Sequence, residues 1–263
     1  KSREMAATPG LPARPEDGSR DGSAPGAGIP DPEYGPEYGP RGRGRAALTS
    51  YCLGICTGAA LIAAVLDARL VHWSAYMVIL CFFHEVEFLL TAAYRSDTLS
   101  ADNFLLNHSK AYHVAVLLCW AEFWLEWWLF GAGWKRPGVL SASGLTLTVG
   151  ALFSRSLAMR TAASNFSHTI ETEKRPQHRL VKHGIYRYLR HPAYFGFFWF
   201  SVGTQLLLLN PVCTLLYAYA SWKFFADRIP YEEELLHEFF PEEYARYTQR
   251  TIIGIPLILR RNS

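Results

Sequence analysis

The heptapeptide Arg190-His191-Pro192-Ala193-Tyr194-Phe195-Gly196 puts a guanidinium, an imidazole, a phenol, a fixed φ and a bare backbone side by side. It runs directly into Phe197-Phe198-Trp199-Phe200, so polar chemistry sits at the lip of an apolar helix. Pro192 suits a first helical turn, where a missing N–H costs nothing. Gly196 permits close approach to the backbone. The N–H groups of such a helix start can meet an anion. The same residues also describe an interfacial helix start with an aromatic belt and a snorkelling arginine. A second polar group follows at Arg228, Glu232 and Glu233. Arg228 and Glu232 are one helical turn apart and share a face. As a plain surface ion pair they would contribute about 0.3–0.5 kcal/mol.

These residue types narrow the chemistry. There is no nucleophile–base pair of the hydrolase kind. There is no P-loop and no Gly-x-Gly-x-x-Gly. No His/Asp/Glu cluster has metal spacing, so no metal is expected. What remains is a site of aromatics, one histidine, one arginine and one glutamate beside a membrane.

The elements that must position this site are apolar. Of 263 residues, 50% are hydrophobic and 14% aromatic, more than a soluble domain needs. A net charge of +3 is too small to argue for a nucleic-acid partner. The five cysteines, Cys52, Cys56, Cys81, Cys119 and Cys213, all lie in apolar runs and read as small buried hydrophobes rather than a disulfide set. Residues 1–45 are rich in Pro, Gly and charge, with two overlapping Pro-Glu-Tyr-Gly-Pro copies, and read as a disordered polar tail.

Four apolar spans are expected within 46–160, at residues 48–66, 73–94, 111–131 and 138–159. The second carries His84, Glu85 and Glu87, and ionisable groups there face a bundle interior or a wet cavity. His84 and Glu87 share a helix face, as a structural contact or a functional one. The third carries Trp120, Glu122, Trp124 and Glu126, an interfacial belt or the entry for an apolar substrate. Residues 161–263 form the region expected to be catalytic. In it two short apolar segments, within 193–226, are split by Asn210-Pro211 into a helical hairpin. A charged helical segment follows from Asp227 and ends near Gly254 and Pro256. The fold class is therefore an all-α polytopic membrane protein of about six membrane helices, with a cytosolic pocket. Arginine and lysine placement puts that side in the cytosol, with Lys135 and Arg136 as a minority on the other. Two sequons, at Asn107 and Asn165, then fall on the cytosolic side and read as chance matches. Because a hairpin returns the chain to where it left, Tyr186, His191, Tyr194, Arg228 and Glu232 can meet in one pocket.

These blocks resemble the isoprenylcysteine carboxyl methyltransferase family. The matching motifs are Phe104-Leu105-Leu106-Asn107-His108-Ser109, Ser164-Asn165-Phe166, Leu180-Val181, Gly184-Ile185-Tyr186, Arg190-His191-Pro192-Ala193-Tyr194, Asn210-Pro211, Arg228, Glu232-Glu233 and Glu242-Glu243-Tyr244. The resemblance implies an S-adenosylmethionine-dependent enzyme of the endoplasmic reticulum membrane. It would esterify the C-terminal prenylcysteine carboxylate of processed proteins, with membrane lipid around it. Carried over by motif, cofactor contacts fall at Glu171, His178, Arg179, Leu180, Val181, Tyr186, His191, Pro192, Ala193, Tyr194 and Glu232, and the substrate contact at Arg228. The resemblance makes Arg228 and Glu232 the catalytic pair. Three positions depart from the family pattern. Glu171 stands where glutamine is usual, and Pro241 and Ala163 each stand where glycine is usual. Part of the Arg-His-Pro-x-Tyr-x-Gly and Glu-Glu pattern is shared with phospholipid methyltransferases and sterol reductases, which stand as the alternatives.

Overall fold

A computed structural model of the chain describes residues 43–107 and 109–258. The tail before them, with its repeated Pro-Glu-Tyr-Gly-Pro, and His108 of the Asn-His-Ser block lie outside the described residues. Seven α-helices form among the described residues: α1 (Arg43–Leu66), α2 (Val71–Tyr94), α3 (Lys110–Phe130), α4 (Val139–Ala162), α5 (Pro192–Leu208), α6 (Pro211–Phe239) and α7 (Pro241–Thr248). The only strand-like pairing there is one isolated parallel bridge, Leu189 to Ile252. Gly44–Leu66 and Ala68–Tyr94 are long and apolar enough to cross a membrane on length and composition alone. Large apolar side chains such as Ile62, Leu117, Phe153 and Leu215 face outward from α1, α3, α4 and α6. The chain is an all-α membrane protein of several spans.

Several boundaries move. The first helix starts at Arg43, inside the polar tail, because Arg43 and Arg45 form its first turn. The second arm of the hairpin does not stop near residue 226. α6 runs unbroken to Phe239, so the charged segment carrying Arg228 and Glu232 continues the same helix. Pro230 lies within it and cannot donate a hydrogen bond one turn back, a local release of the helix between those two residues. Pro241 opens α7 at a first-turn position, where proline's missing N–H has no intrahelical partner to lose. Cys81, Cys119 and Cys213 are buried as expected, but Cys52 and Cys56 are exposed. α1 packs mainly along one face against α2, and its other faces turn outward.

α4 and α5 form the spine that places the site. Their backbones touch. A Cβ on Gly144 would lie 2.3 Å from the Leu207 nitrogen, and one on Gly203 would lie 2.6 Å from Thr148 Oγ1. One on Gly196 would lie 2.7 Å from the Ala151 carbonyl oxygen. Small residues at such a crossing let membrane helices pack closely without a hydrophobic driving force. Gly196, placed by sequence as a point of close approach, therefore serves α4.

The far end of the hairpin explains the dissenting positive charge. Lys135 is 1% exposed and caps the C-terminus of α5. Its ammonium donates to the carbonyls of Leu208 and Leu209 at 3.2 and 2.8 Å and to Asn210 Oδ1 at 2.8 Å, and it pairs with Glu126 at 2.5 Å. Unsatisfied carbonyls at a helix end attract such a cation. Glu122 does the complementary work at the start of α6, accepting from the N–H groups of Val212 and Cys213 at 2.7 and 2.6 Å. The acidic residues of the third span thus brace the hairpin. Trp120 and Trp124 pack around Trp73, with ring centroids 5.8 and 5.0 Å away, in an aromatic cluster.

Candidate functional site

Two neighbouring cavities meet at the start of α5. The first, about 120 Å³, is the more polar of the two, hereafter the polar cavity. Its walls come from the loop between α4 and α5, the first turn of α5, the end of α6, and α7. His178, Arg179, Leu180, Val181, Tyr186, His191, Pro192, Ala193, Tyr194 and Glu232 all line it. The second, about 270 Å³, is mainly apolar and extends between α2, α3, α5 and α6. Phe83, Phe197, Phe200, Phe224 and Phe225 line it, and Arg228 and His168 stand among its few polar groups. Along α3 its wall is Tyr112, Ala115 and Val116 rather than Trp120 and Trp124. The expected single pocket is thus divided, with Glu232 on the polar side and Arg228 on the apolar side.

Tyr194 belongs to both cavities. Its hydroxyl donates to Glu232 Oε2 at 2.5 Å and accepts from Arg228 Nε at 3.0 Å. Arg228 and Glu232, one turn apart, are joined through this phenol rather than as a surface ion pair. The ring itself is fixed. It stacks on His191 at 5.4 Å with a 3° interplanar angle and on Phe225 at 5.0 Å. Arg228 lies 5.5 Å from its centroid, and its Nη2 donates to the His168 carbonyl at 2.8 Å. A guanidinium held by one phenol and one carbonyl keeps donors free for a further anion.

The neighbouring residues hold this wall in place. Glu233 accepts from Arg190 Nε and lies 3.2 Å from His191 Nε2. Burial opposes ionisation of Glu233, but His191 and Arg190 outweigh it and hold the carboxyl at about 2. Arg190 also donates to the Thr251 carbonyl at 2.8 Å, tying the segment after α7 to the start of α5. Arg190 is therefore a clamp under the site, although it too borders the polar cavity. Burial pushes the Tyr186 phenol up, so it stays protonated. Burial, with Arg175 next, lowers the His178 imidazole, which favours its neutral form.

Two polar atoms at the polar cavity have no hydrogen-bond partner among the described residues, His178 Nδ1 and the Tyr244 hydroxyl. Buried polar groups are ordinarily paired, so this wall suits a ligand carrying donors and acceptors.

Glu171 is placed elsewhere. It lies 3.1 Å from Arg175 and 3.8 Å from Arg95, beside a third cavity bordered by Thr91, Tyr94 and Asn103. The loop turns it away from the polar cavity because both arginines attract its carboxylate. Sequence reasoning also missed residues. Asn165 Oδ1 accepts from the Arg179 N–H at 2.9 Å and shapes the polar cavity. Phe166 and Ser167 line both cavities, and Leu236, Tyr244 and Tyr247 close the polar one. The Ser164-Asn165-Phe166 and Glu242-Glu243-Tyr244 blocks were visible as motifs, but no spacing rule assigned them to a wall. Ala163, just before the strap of residues 166–169 that crosses between the two cavities, has φ 48° and ψ −121°. Glycine adopts that region freely and alanine does so under strain.

Residues 144–238 match the model of the isoprenylcysteine carboxyl methyltransferase family. The chain is 42% identical over 212 residues to a rat protein-S-isoprenylcysteine O-methyltransferase, covering 81% of this chain and 74% of that one. It is 46% identical over 187 residues to the human enzyme of that name, covering 71% and 66%. With the yeast enzyme of that name it shares 38% identity over 219 residues, covering 80% and 90%. A solved structure of a eukaryotic intramembrane Ras methyltransferase superposes with a TM-score of 0.77 at 38% identity, over 81% of this chain and 76% of that one.

Proposed function

The chain belongs to the isoprenylcysteine carboxyl methyltransferase family, and from that premise we propose that it esterifies the C-terminal carboxylate of prenylated cysteine. S-adenosylmethionine would be the methyl donor in the polar cavity, and the prenyl tail would occupy the apolar one. The observation that carries the reading is the shared wall at Tyr194, with Arg228 on its apolar face and Glu232 on its polar face. The residues fit such a donor. The unpartnered His178 and Tyr244 atoms suit its polar groups, Glu232 suits an amino group, and Tyr186 and Tyr194 offer aromatic faces. When bound, that donor supplies an electrophilic methyl group.

The protein's own task is then positioning. A carboxylate is ionised at neutral pH and needs no general base. Arg228 holds it by one or both oxygens, a geometry that lysine cannot reproduce. The His168 carbonyl and the Tyr194 hydroxyl orient that guanidinium. Holding two reactants in line supplies much of the rate enhancement in a site without a nucleophile. The apolar walls exclude water from the charged groups, which strengthens every interaction among them. We place the site on the cytosolic face of the endoplasmic reticulum membrane, where the positive loop residues cluster. In that placement residues 46–160 are the membrane scaffold, 161–263 the catalytic region, and prenylated protein C-termini and membrane lipid the partners.

The test is methyl transfer from S-adenosylmethionine by the purified full chain in lipid nanodiscs. A farnesylated cysteine peptide with a free C-terminus should accept a methyl group, and the same peptide ending in an amide should not. Methylation of phosphatidylethanolamine instead would overturn the reading in favour of a lipid amine acceptor.

A further inference from the structure

Glu87 lies in α2, is 1% exposed, and is used by nothing in the mechanism above. Its two carboxylate oxygens meet three donors. Arg155 Nε and Nη2 reach them at 2.5 and 2.9 Å, and His168 Nε2 lies 2.9 Å from Oε2. Each partner leads to the wall between the cavities. Arg155 Nη1 donates to the Ala193 carbonyl at 3.2 Å, and Ala193 immediately precedes Tyr194. The His168 carbonyl accepts from Arg228 Nη2 at 2.8 Å. One carboxylate therefore ties both supports of Arg228, the strap that carries the carbonyl and the helical turn that carries the phenol.

We propose that Glu87 is a positioning residue that sets Arg228 for the acceptor carboxylate, acting through the His168 strap and the first turn of α5. The inference rests on the carboxylate-acceptor reading. A buried pair with no such role would stabilise the fold and leave substrate selectivity alone. Membrane helices do retain buried charges as structural contacts. Here the network goes further, because the strap carries no regular structure of its own. Residues 166–169 follow a short 3-10 turn and lie outside any helix, so their placement depends on such tethers. Losing the tether at His168 should move its carbonyl and with it the guanidinium; Phe166 and Ser167 of the same strap also border the polar cavity, but Glu232, Tyr186 and His178 there are held by other elements.

The test separates acceptor from donor. His168→Phe keeps a ring against Phe166, 5.2 Å away, and removes the donor to Glu87. His168→Gln keeps a donor. Glu87→Gln keeps the shape but leaves Arg155 without its full charge partner, so the His168 pair carries the test if that variant fails to fold. The KM for a farnesylated cysteine peptide should rise about tenfold in His168→Phe, and because His168 also lines the apolar cavity, recovery in His168→Gln is what assigns the change to the lost tether. Affinity for S-adenosylhomocysteine, measured by calorimetry, should stay within about twofold, and His168→Gln should recover part of the acceptor KM. An unchanged acceptor KM in His168→Phe overturns the proposal, as does a parallel loss of donor affinity. Wild-type protein that binds S-adenosylhomocysteine but does not methylate the peptide refutes the underlying function instead.

Discussion

Replacing Tyr194 with phenylalanine removes one oxygen atom and tests the shared wall directly. The ring should stay where it is, because His191 and Phe225 hold its two sides. The loss is two hydrogen bonds, each to a charged group: Glu232 at 2.5 Å and Arg228 at 3.0 Å. Hydrogen bonds to charged partners contribute roughly 1.5–3 kcal/mol each. The two losses do not add fully. Arg228 keeps the His168 carbonyl at 2.8 Å and its place over the ring. Glu232 borders the polar cavity and can be hydrated there. We expect a net loss of about 1.5–3 kcal/mol in transition-state stabilisation, or roughly 10- to 150-fold in kcat/KM at 1.36 kcal/mol per decade. The assay is methyl transfer to a farnesylated cysteine peptide, with donor affinity measured separately by calorimetry. Most of the loss should appear in acceptor turnover, because the phenol restrains the guanidinium proposed to hold the acceptor. A variant within twofold of wild type in both measurements would refute the coupling of Arg228 to Glu232 through this hydroxyl.

Three further outcomes follow from the same geometry. Arg228→Ala should lower kcat/KM by on the order of 10²-fold or more, with Arg228→Lys recovering only part, while calorimetry finds donor affinity little changed. Glu232→Ala should do the reverse, weakening S-adenosylhomocysteine binding more than it raises the acceptor KM, because it leaves an amino group unpaired beside a buried wall. Ala163→Gly should raise the thermal unfolding midpoint or leave it unchanged, since relief of backbone strain is worth roughly 1–3 kcal/mol and the added freedom of the unfolded chain offsets part of it. A lower midpoint would show that the strap does not hold Ala163 under strain.

What could be read in the sequence was local. Pro192 and Pro211 open helices where proline costs nothing, and the apolar runs fix where the helices lie. The Arg-His-Pro-x-Tyr run and the His178–Val181 run are contiguous stretches, so each keeps its place on one wall. What could not be read depended on distant partners. Glu87 was legible as a buried ionisable group, but Arg155 and His168 lie 68 and 81 residues away. Lys135 counted as a topological outlier until the carbonyls of Leu208 and Leu209 came within its reach. Glu171 sits in a loop without periodicity, and the charges of Arg95 and Arg175 decide where its carboxylate goes. The division into two cavities was also hidden. It depends on the Tyr194 phenol lying between two residues of α6, and on Phe166 and Ser167, which border both cavities as well, whereas helix spacing alone makes the two α6 residues neighbours.

That division resolves an electrostatic conflict in the proposed reaction. Glu232 is a carboxylate, and so is the proposed acceptor. Two like charges in a water-poor site repel strongly, and burying either one alone is costly. Placing both in one open pocket would set Glu232 against the substrate. Across the Tyr194 wall, the proposed acceptor would meet Arg228 first, while Glu232 faces the polar cavity and spends its Oε2 on the phenol. The phenol is suited to this place because it donates on one side and accepts on the other. Its proton goes to the anion and its lone pair to the cation. A lysine at 228 would match the charge but not the fork that lets Nε meet the phenol while Nη2 meets the strap. The three side chains thus form one unit, and the fold brings it together by running α6 from Pro211 to Phe239 without a break.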